Sequence, residues 1–207
     1  MPRQRPAPVS NRLSPSDWED AALDVIAARG VAAVSIEALA RQLGVTKGSF
    51  YWHFTDRTAL LSRSLLRWQV RYTGKVIEAL ESISDPRERL TRLIAGTDAS
   101  SVAWRVHVAL SASAHEVPVA EALARVSKQR IAYVEDCYRA LGFSKDAARS
   151  RAVLAYSAYL GFLHLKLEGP AEVPTGAKRA TYLRLVLNAL VEKHGGSSGA
   201  RHRPAQR

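Results

Sequence analysis

The sequence predicts an all-α protein, with a small N-terminal helical unit followed by a larger helical bundle. Three observations carry this. Strand-like alternation of useful length is absent, and Ala, Leu, Arg and Glu, all good helix formers, dominate the 207 residues. Apolar residues recur at helical spacing between cap and stop signals. The stretch Val34 to Phe54 reads as two short helices joined by a tight glycine turn, the arrangement of a helix-turn-helix.

The first helix begins at Ser14-Pro15-Ser16-Asp17, a polar cap with Pro and acid in the first turn, and Gly30 ends it. Trp18, Ala21, Ala22, Val25 and Ile26 form its apolar stripe. Ser35 caps the second helix, whose Ile36, Leu39, Ala40 and Leu43 fall at i, i+3, i+4 and i+7. Gly44 closes it in the left-handed conformation. Thr46 caps a short third helix with Phe50 and Phe54 facing inward. Asp56 caps a fourth, expected to run unbroken to about Ile83. Asp85-Pro86 starts a helix to Asp98; others are expected from Val102 to His115, Pro118 to Leu141, Ser144 to Leu167 and Lys178 to Lys193. Residues 1–12 and 195–207 read as disordered basic segments.

Charge narrows the partner. Thirty Lys and Arg face 19 acids, a net of +11, which favours nucleic acid first and an anionic membrane second. Between residues 35 and 75, seven basic residues face two acids, whereas residues 1–34 are balanced. The single Cys137 excludes an internal disulfide and argues for a reducing, cytoplasmic setting. The N-terminus lacks the apolar segment of a secretory signal. The longest apolar run, Ala152 to Leu165, falls short of the ~20 residues of a bilayer span.

In the helix-turn-helix, small Ala40 permits close helix approach, and Leu39, Leu43, Val45 and Phe50 wedge the two helices apart at a fixed angle. With Phe50 and Phe54 inward, Lys47, Ser49, Trp52 and His53 are left outside. Lys47 can donate to guanine or phosphate, Ser49 can act either way, and Trp52 and His53 offer apolar surface and ring nitrogens. Gly48 lets the backbone approach the duplex, the helix starts at Ser35 and Thr46 welcome phosphate, and the Tyr51 hydroxyl can reach one. The same residues would suit an exposed surface helix of any bundle. An aromatic pair exposed without a partner, and the local charge excess, weigh against that. Arg63, Arg67, Arg71 and Lys75 form a stripe on the fourth helix, read as a solvated face, and only Arg57 lies well for phosphate.

The order Ser35-x-x-x-Leu39-Ala40-x-x-Leu43-Gly44-Val45-Thr46-Lys47-Gly48-Ser49-Phe50-Tyr51-Trp52-His53-Phe54, followed by Asp56-Arg57-x-x-Leu60-Leu61, closely resembles the TetR family of bacterial transcriptional regulators. The likeness covers roughly residues 13 to 61. It implies a DNA-binding domain over 13–56 with its motif at 35–54, and a ligand-binding and dimerisation domain over 57–194. It implies a homodimer on a palindromic double-stranded operator, repressing until a small-molecule effector releases it. It assigns Ser35, Thr46, Tyr51 and Arg57 to phosphate, and Lys47, Gly48, Ser49, Trp52 and His53 to the groove. Glu37 stands where some members place a base-reading residue; a carboxylate there reads cytosine or offsets the helix dipole, the second being favoured.

The last two long helices are apolar on almost every side, and in a chain this small a second subunit is the natural cover. Val153, Leu160, Leu183, Leu187 and Leu190 are the expected interface. Trp104, His107, Tyr133, Cys137, Tyr156, Tyr159 and His164 are candidate pocket residues, with His115 beside them, for an uncharged or anionic apolar ligand. No phosphate loop, His-Glu-x-x-His or nucleophile elbow appears, and the six His are dispersed. Neither enzyme, cofactor, metal site nor membrane partner is therefore expected. The remaining alternatives are an activator, a constitutive or architectural DNA binder, and a helical ligand-binding protein with no role at DNA.

Overall fold

A computed structural model describes residues 13–96 and 101–191; the basic segments at both ends and the expected helix end at Asp98 lie outside the described residues. In chain order the helices are α1 (Pro15–Arg29), α2 (Ile36–Gln42), α3 (Lys47–Phe50), α4 (Arg57–Gln69), α5 (Lys75–Glu81), α6 (Pro86–Ala95), α7 (Val102–Ala112), α8 (Val117–Ala140), α9 (Lys145–Glu168) and α10 (Gly176–Val191). No strand occurs among the described residues, so the fold is all-α as expected. None of these helices is long and apolar enough to cross a membrane.

The caps follow the sequence. The Asp17 carboxylate accepts from both the backbone N–H and the hydroxyl of Ser14, at 2.7 Å each. Ser35 Oγ accepts from the Ala38 N–H at 3.2 Å, Asp56 Oδ1 from Ala59 at 2.8 Å, and Ser144 Oγ from Ala147 at 3.3 Å. Each such cap contributes about 1 kcal/mol. Gly44 closes α2 with φ +71°, a value that would strain any side chain. Thr46 differs: it occupies the N-cap position of α3, but its hydroxyl makes no cap bond, and the turn closes through the Ser49 N–H to the Thr46 carbonyl at 3.0 Å.

Two cores organise the chain. The first joins Trp18, Ala22 and Ile26 of α1 to Leu39, Phe50, Leu61 and Leu65, and continues into Val106, Leu110, Val119 and Val126. It therefore runs from the N-terminal helices into α7 and the first half of α8, well past residue 56. The second unites Leu90 of α6, Val134, Cys137 and Tyr138 of α8, Ala148 and Ala152 of α9, and Leu190 and Val191 of α10. Tyr138 spans it, donating its hydroxyl to the Leu190 carbonyl.

The fourth helix differs from expectation in two ways. It runs without a break to Glu81 but is not α-helical throughout: a π turn, Val70–Gly74, joins α4 to α5. Arg130 of α8 supplies the partner, with Nε donating to Thr73 Oγ1 at 3.0 Å and Nη2 to the Tyr72 carbonyl at 3.4 Å. A tertiary contact thus stabilises the widened turn, and local sequence carries no trace of it. Nor is the stripe merely a solvated face: Arg63, Arg71 and Lys75 are exposed, yet its three arginines pair with acids of α1. Arg67 grips Asp20 of α1 with Nε and Nη2 at 2.6 and 2.8 Å, Arg71 adds a contact at 3.1 Å, and Arg63 reaches the buried Glu19 at 3.1 Å. The bond from Arg67 holds the Asp20 carboxyl below the usual range. The stripe clamps α4 onto α1.

Candidate nucleic-acid interface and ligand cavity

The face assigned to DNA stands on an aromatic floor. Phe50 and Phe54 stack at 5.4 Å, Trp18 meets Phe50 edge-on at 5.3 Å, and all three are buried. Burying Phe50 and Phe54 turns the intervening residues outward. Tyr51 is 54% exposed and Trp52 is 87% exposed, with Thr46, Lys47 and Gly48 also in solvent and Ser49 and His53 half-buried. An exposed Trp–Tyr pair beside a lysine is costly as plain surface and useful as a contact face.

Lys47 Nζ donates to Glu37 Oε1 at 2.5 Å, both side chains being about half exposed. The hydrogen bond raises the lysine and lowers the carboxylate from their ordinary values. Glu37 thus has a definite partner, and the pair ties α2 to α3 across the turn. Being exposed, the pair contributes little to stability. Ser35 already serves as a cap through one lone pair, and its O–H can still donate outward.

Arg57 is placed differently from its expected role. Its Nε donates to the Val34 carbonyl at 2.9 Å and its Nη2 to the Val31 carbonyl at 2.8 Å, while Nη1 lies 3.7 Å from Glu116, the residue before α8. The guanidinium satisfies carbonyls of a turn whose side chains are buried, so it acts here as an internal staple rather than an open phosphate ligand.

A cavity of about 350 Å³ lies between α5, α6, α8, α9 and α10, lined by Leu80, Leu90 and Val134 and by Tyr133, Tyr156, Tyr159, Phe162 and Tyr182. Of the seven candidate pocket residues, Tyr133, Tyr156 and Tyr159 line it. Trp104 and His107 do not. They stack on each other at 5.4 Å in a separate cluster, where Trp68 lies 6.0 Å from His107 and the exposed His164 is edge-on to Trp104 at 6.1 Å. Cys137 is buried in the second core, and His115 is exposed near the start of α8. The rotation of each helix explains the division: on α7 the residues at 104 and 107 point toward α4, away from the cavity. Tyr72, Arg130 and Tyr182 were missed. Arg130 had a readable signal, since it falls four residues after Val126 and four before Val134, within an otherwise apolar stripe.

The expected interface residues also divide. Val153 is 42% exposed; Leu160, Leu183 and Leu187 are half-buried; Leu190 is buried in the second core, which corrects its assignment. Leu183, Val186 and Leu190 share the cavity-facing side of α10, a position set by the 100° helical step. The outward apolar stripe is instead Val153, Leu154, Ala158, Gly161 and Leu165 on α9 with Leu185 and Ala189 on α10. No group of His, Cys, Asp and Glu capable of holding a metal occurs among the described residues.

Residues 20–63 match the family model described as bacterial regulatory proteins, tetR family. The curated HTH-type transcriptional regulator SrpR of Pseudomonas putida is 44% identical over 46 residues, 22% of each chain. AcrR of Shigella flexneri, another HTH-type transcriptional regulator, is 31% identical over 75 residues, 31% of this chain and 35% of that one.

Over residues 20–63 the chain is a tetR-family match.

The matches span between 22% and 35% of the curated relatives' own lengths, so they concern the TetR-type head. For the rest, solved structures extend the likeness of fold. The reduced form of Escherichia coli NemR has a TM-score of 0.70 at 19% identity, covering 85% of this chain and 97% of that one. A Rhodococcus transcriptional regulator has a TM-score of 0.68 at 22% identity, covering 86% and 94%. The TetR-family motif thus coincides with α2 and α3, where the exposed face lies.

Proposed function

We propose that this protein is a homodimeric transcriptional repressor that binds a palindromic double-stranded operator and is released by a small molecule. The exposed face around α3 is the single observation that carries the DNA reading: Lys47, Tyr51 and Trp52 project from a floor of buried Phe50 and Phe54. Lys47, Gly48, Ser49, Trp52 and His53 meet the groove. Ser35, Thr46 and Tyr51 hold the backbone, Thr46 with a hydroxyl not used in capping. Residues 13–56 form the reading head and 57–194 the regulatory body, with the first core running through both so that movement in one is felt in the other.

The outward stripe on α9 and α10 supports the dimer. An apolar strip running along two long helices is best covered by the same strip of a second copy, giving a four-helix interface and two heads. The cavity supports the effector. Relatives in fold include a Saccharomonospora viridis regulator in complex with choline and Bacillus subtilis FadR in complex with stearoyl-CoA. Those ligands differ in charge, so the class of effector has to be argued from this chain's own lining.

The test is selection of bound genomic fragments by the purified protein, followed by salt-dependent binding to the selected site. Tyr51→Ala and Lys47→Ala are each expected to weaken that binding at least tenfold, Lys47→Ala with a shallower salt slope. Parental affinity in both variants would overturn the assignment of α3.

A further inference from the structure

Arg130 brings a charge into the cavity that no carboxylate among the described residues meets. The cavity's described lining includes three arginines and no Asp or Glu. Arg92 at its edge pairs with Glu88 at 2.7 Å, and Arg179 reaches the Ala95 carbonyl at 3.2 Å. Arg130 makes no ion pair among the described residues. It is half-buried, and its partners are the Thr73 hydroxyl, the Tyr72 carbonyl and the face of Tyr159, whose ring centre lies 5.9 Å from the guanidinium carbon. All three are neutral acceptors. A guanidinium cannot shed its proton, so its charge persists inside a mostly apolar chamber.

The tyrosines around it permit two readings. Six of them line the space, which resembles a cage for an organic cation. Arg130 decides against that, because a second cation in the same chamber would face a fixed positive charge without a carboxylate to offset it. The phenols do not supply one: burial pushes Tyr133 up to about 12 and raises Tyr159 as well, so both stay neutral hydrogen-bonding groups at neutral pH. The chamber therefore combines aromatic walls, neutral donors and a guanidinium, Arg130, with no carboxylate in the described lining.

We propose that the cavity takes an aromatic or other apolar ligand bearing one anionic group, with Arg130 binding that group. This rests on the reading of the cavity as an effector site and names the effector's class. The position of Arg130 also says how binding is felt. The same guanidinium holds the π turn between α4 and α5, so an anion that draws it away removes the partner of Thr73 and Tyr72. α4 carries both the clamp to α1 and the Arg57 staple, and so leads to the reading head.

The test uses two fluorescent probes with one ring system, 1-anilinonaphthalene-8-sulfonate, which is anionic, and N-phenyl-1-naphthylamine, which is neutral. Both are titrated into the full chain, Arg130→Gln and Arg130→Lys, with folding checked by circular dichroism. Saturable binding at about one site per chain must be lost in Ala155→Trp, which fills the cavity; a second filling variant, Val186→Trp, covers the case in which the first fails to fold. The expected result is a loss of about tenfold or more in affinity for the sulfonate in Arg130→Gln, substantial recovery in Arg130→Lys, and little change for the neutral probe. If both probes bind in the cavity and Arg130→Gln weakens them equally or not at all, the anionic class is overturned while the effector site stands. If neither probe binds in a way that the filling variants abolish, the reading of the cavity as a ligand site fails with it.

Discussion

Acidification should destabilise this protein through one buried imidazole. His107 lies between Trp104 and Trp68, with ring centres 5.4 and 6.0 Å away, and its Nδ1 is buried without a hydrogen-bond partner. Burial first, then the Arg130 charge and His164, pushes its pKa down to about 4 from 6.5. In the unfolded chain the imidazole takes up a proton as the pH falls through 6.5, whereas the folded chain refuses it until about 4. Proton uptake therefore favours unfolding across that window, and stability falls as the pH drops. At about 1.4 kcal/mol per tenfold difference in proton binding, the loss from pH 8 to 5.5 is about 1.4 kcal/mol, and it approaches ~3 kcal/mol near pH 4. For a domain of this size, ~1.4 kcal/mol corresponds to roughly 3–6 °C in Tm. His107→Phe keeps a ring between the tryptophans and removes the titration. Thermal unfolding of both proteins at pH 8 and 5.5, at one fixed concentration, should show a shift smaller by that amount in the variant. An equal shift in both proteins would refute the assignment of acid sensitivity to His107.

Gly48→Ala separates folding from recognition: an added Cβ would meet only Thr46 Oγ1 at an ordinary 3.7 Å, so stability should rise by ~0.5–1 kcal/mol while operator affinity falls, and a variant binding as well as the parent would remove Gly48 from the contact face. Arg57→Gln should cost about 3 kcal/mol in urea unfolding, because two carbonyls lose a charged donor; weakened DNA binding at unchanged stability would instead return Arg57 to the phosphate-contacting set. Leu154→Glu with Leu185→Glu, at positions 57% and 67% exposed, should yield a monomer in sedimentation velocity, and an intact dimer would place the interface elsewhere.

The contrast between what the residues announced and what they withheld follows the range of the interactions. Caps at Ser14, Ser35, Asp56 and Ser144, and the left-handed Gly44, act within four residues and were legible in the sequence. The exposure of Tyr51 and Trp52 was legible too, because burying Phe50 and Phe54 on a short helix leaves them nowhere to go but outward. The π turn was not, and the side chain that bonds it, Arg130, lies 57 residues from Thr73 along the chain. The clamp of Arg63, Arg67 and Arg71 onto Glu19 and Asp20 was hidden for the same reason: periodicity shows that three arginines share a face, not what the face meets. On α9 and α10, apolar residues on every side leave the phase undetermined, so Leu190 and Leu185 could not be told apart until α6 and α8 were in place. The cavity depends on several helices at once, and of its lining only Tyr133, Tyr156 and Tyr159 were anticipated.

The central claim is that the outward face of α3 reads DNA. It is tested most directly by titrating a selected palindromic site with the parent, Tyr51→Ala and Lys47→Ala at two salt concentrations, alongside their thermal unfolding. The account predicts variants that fold as the parent does, bind at least tenfold more weakly, and in the case of Lys47→Ala lose part of the salt dependence. Unchanged affinity in both folded variants would contradict it.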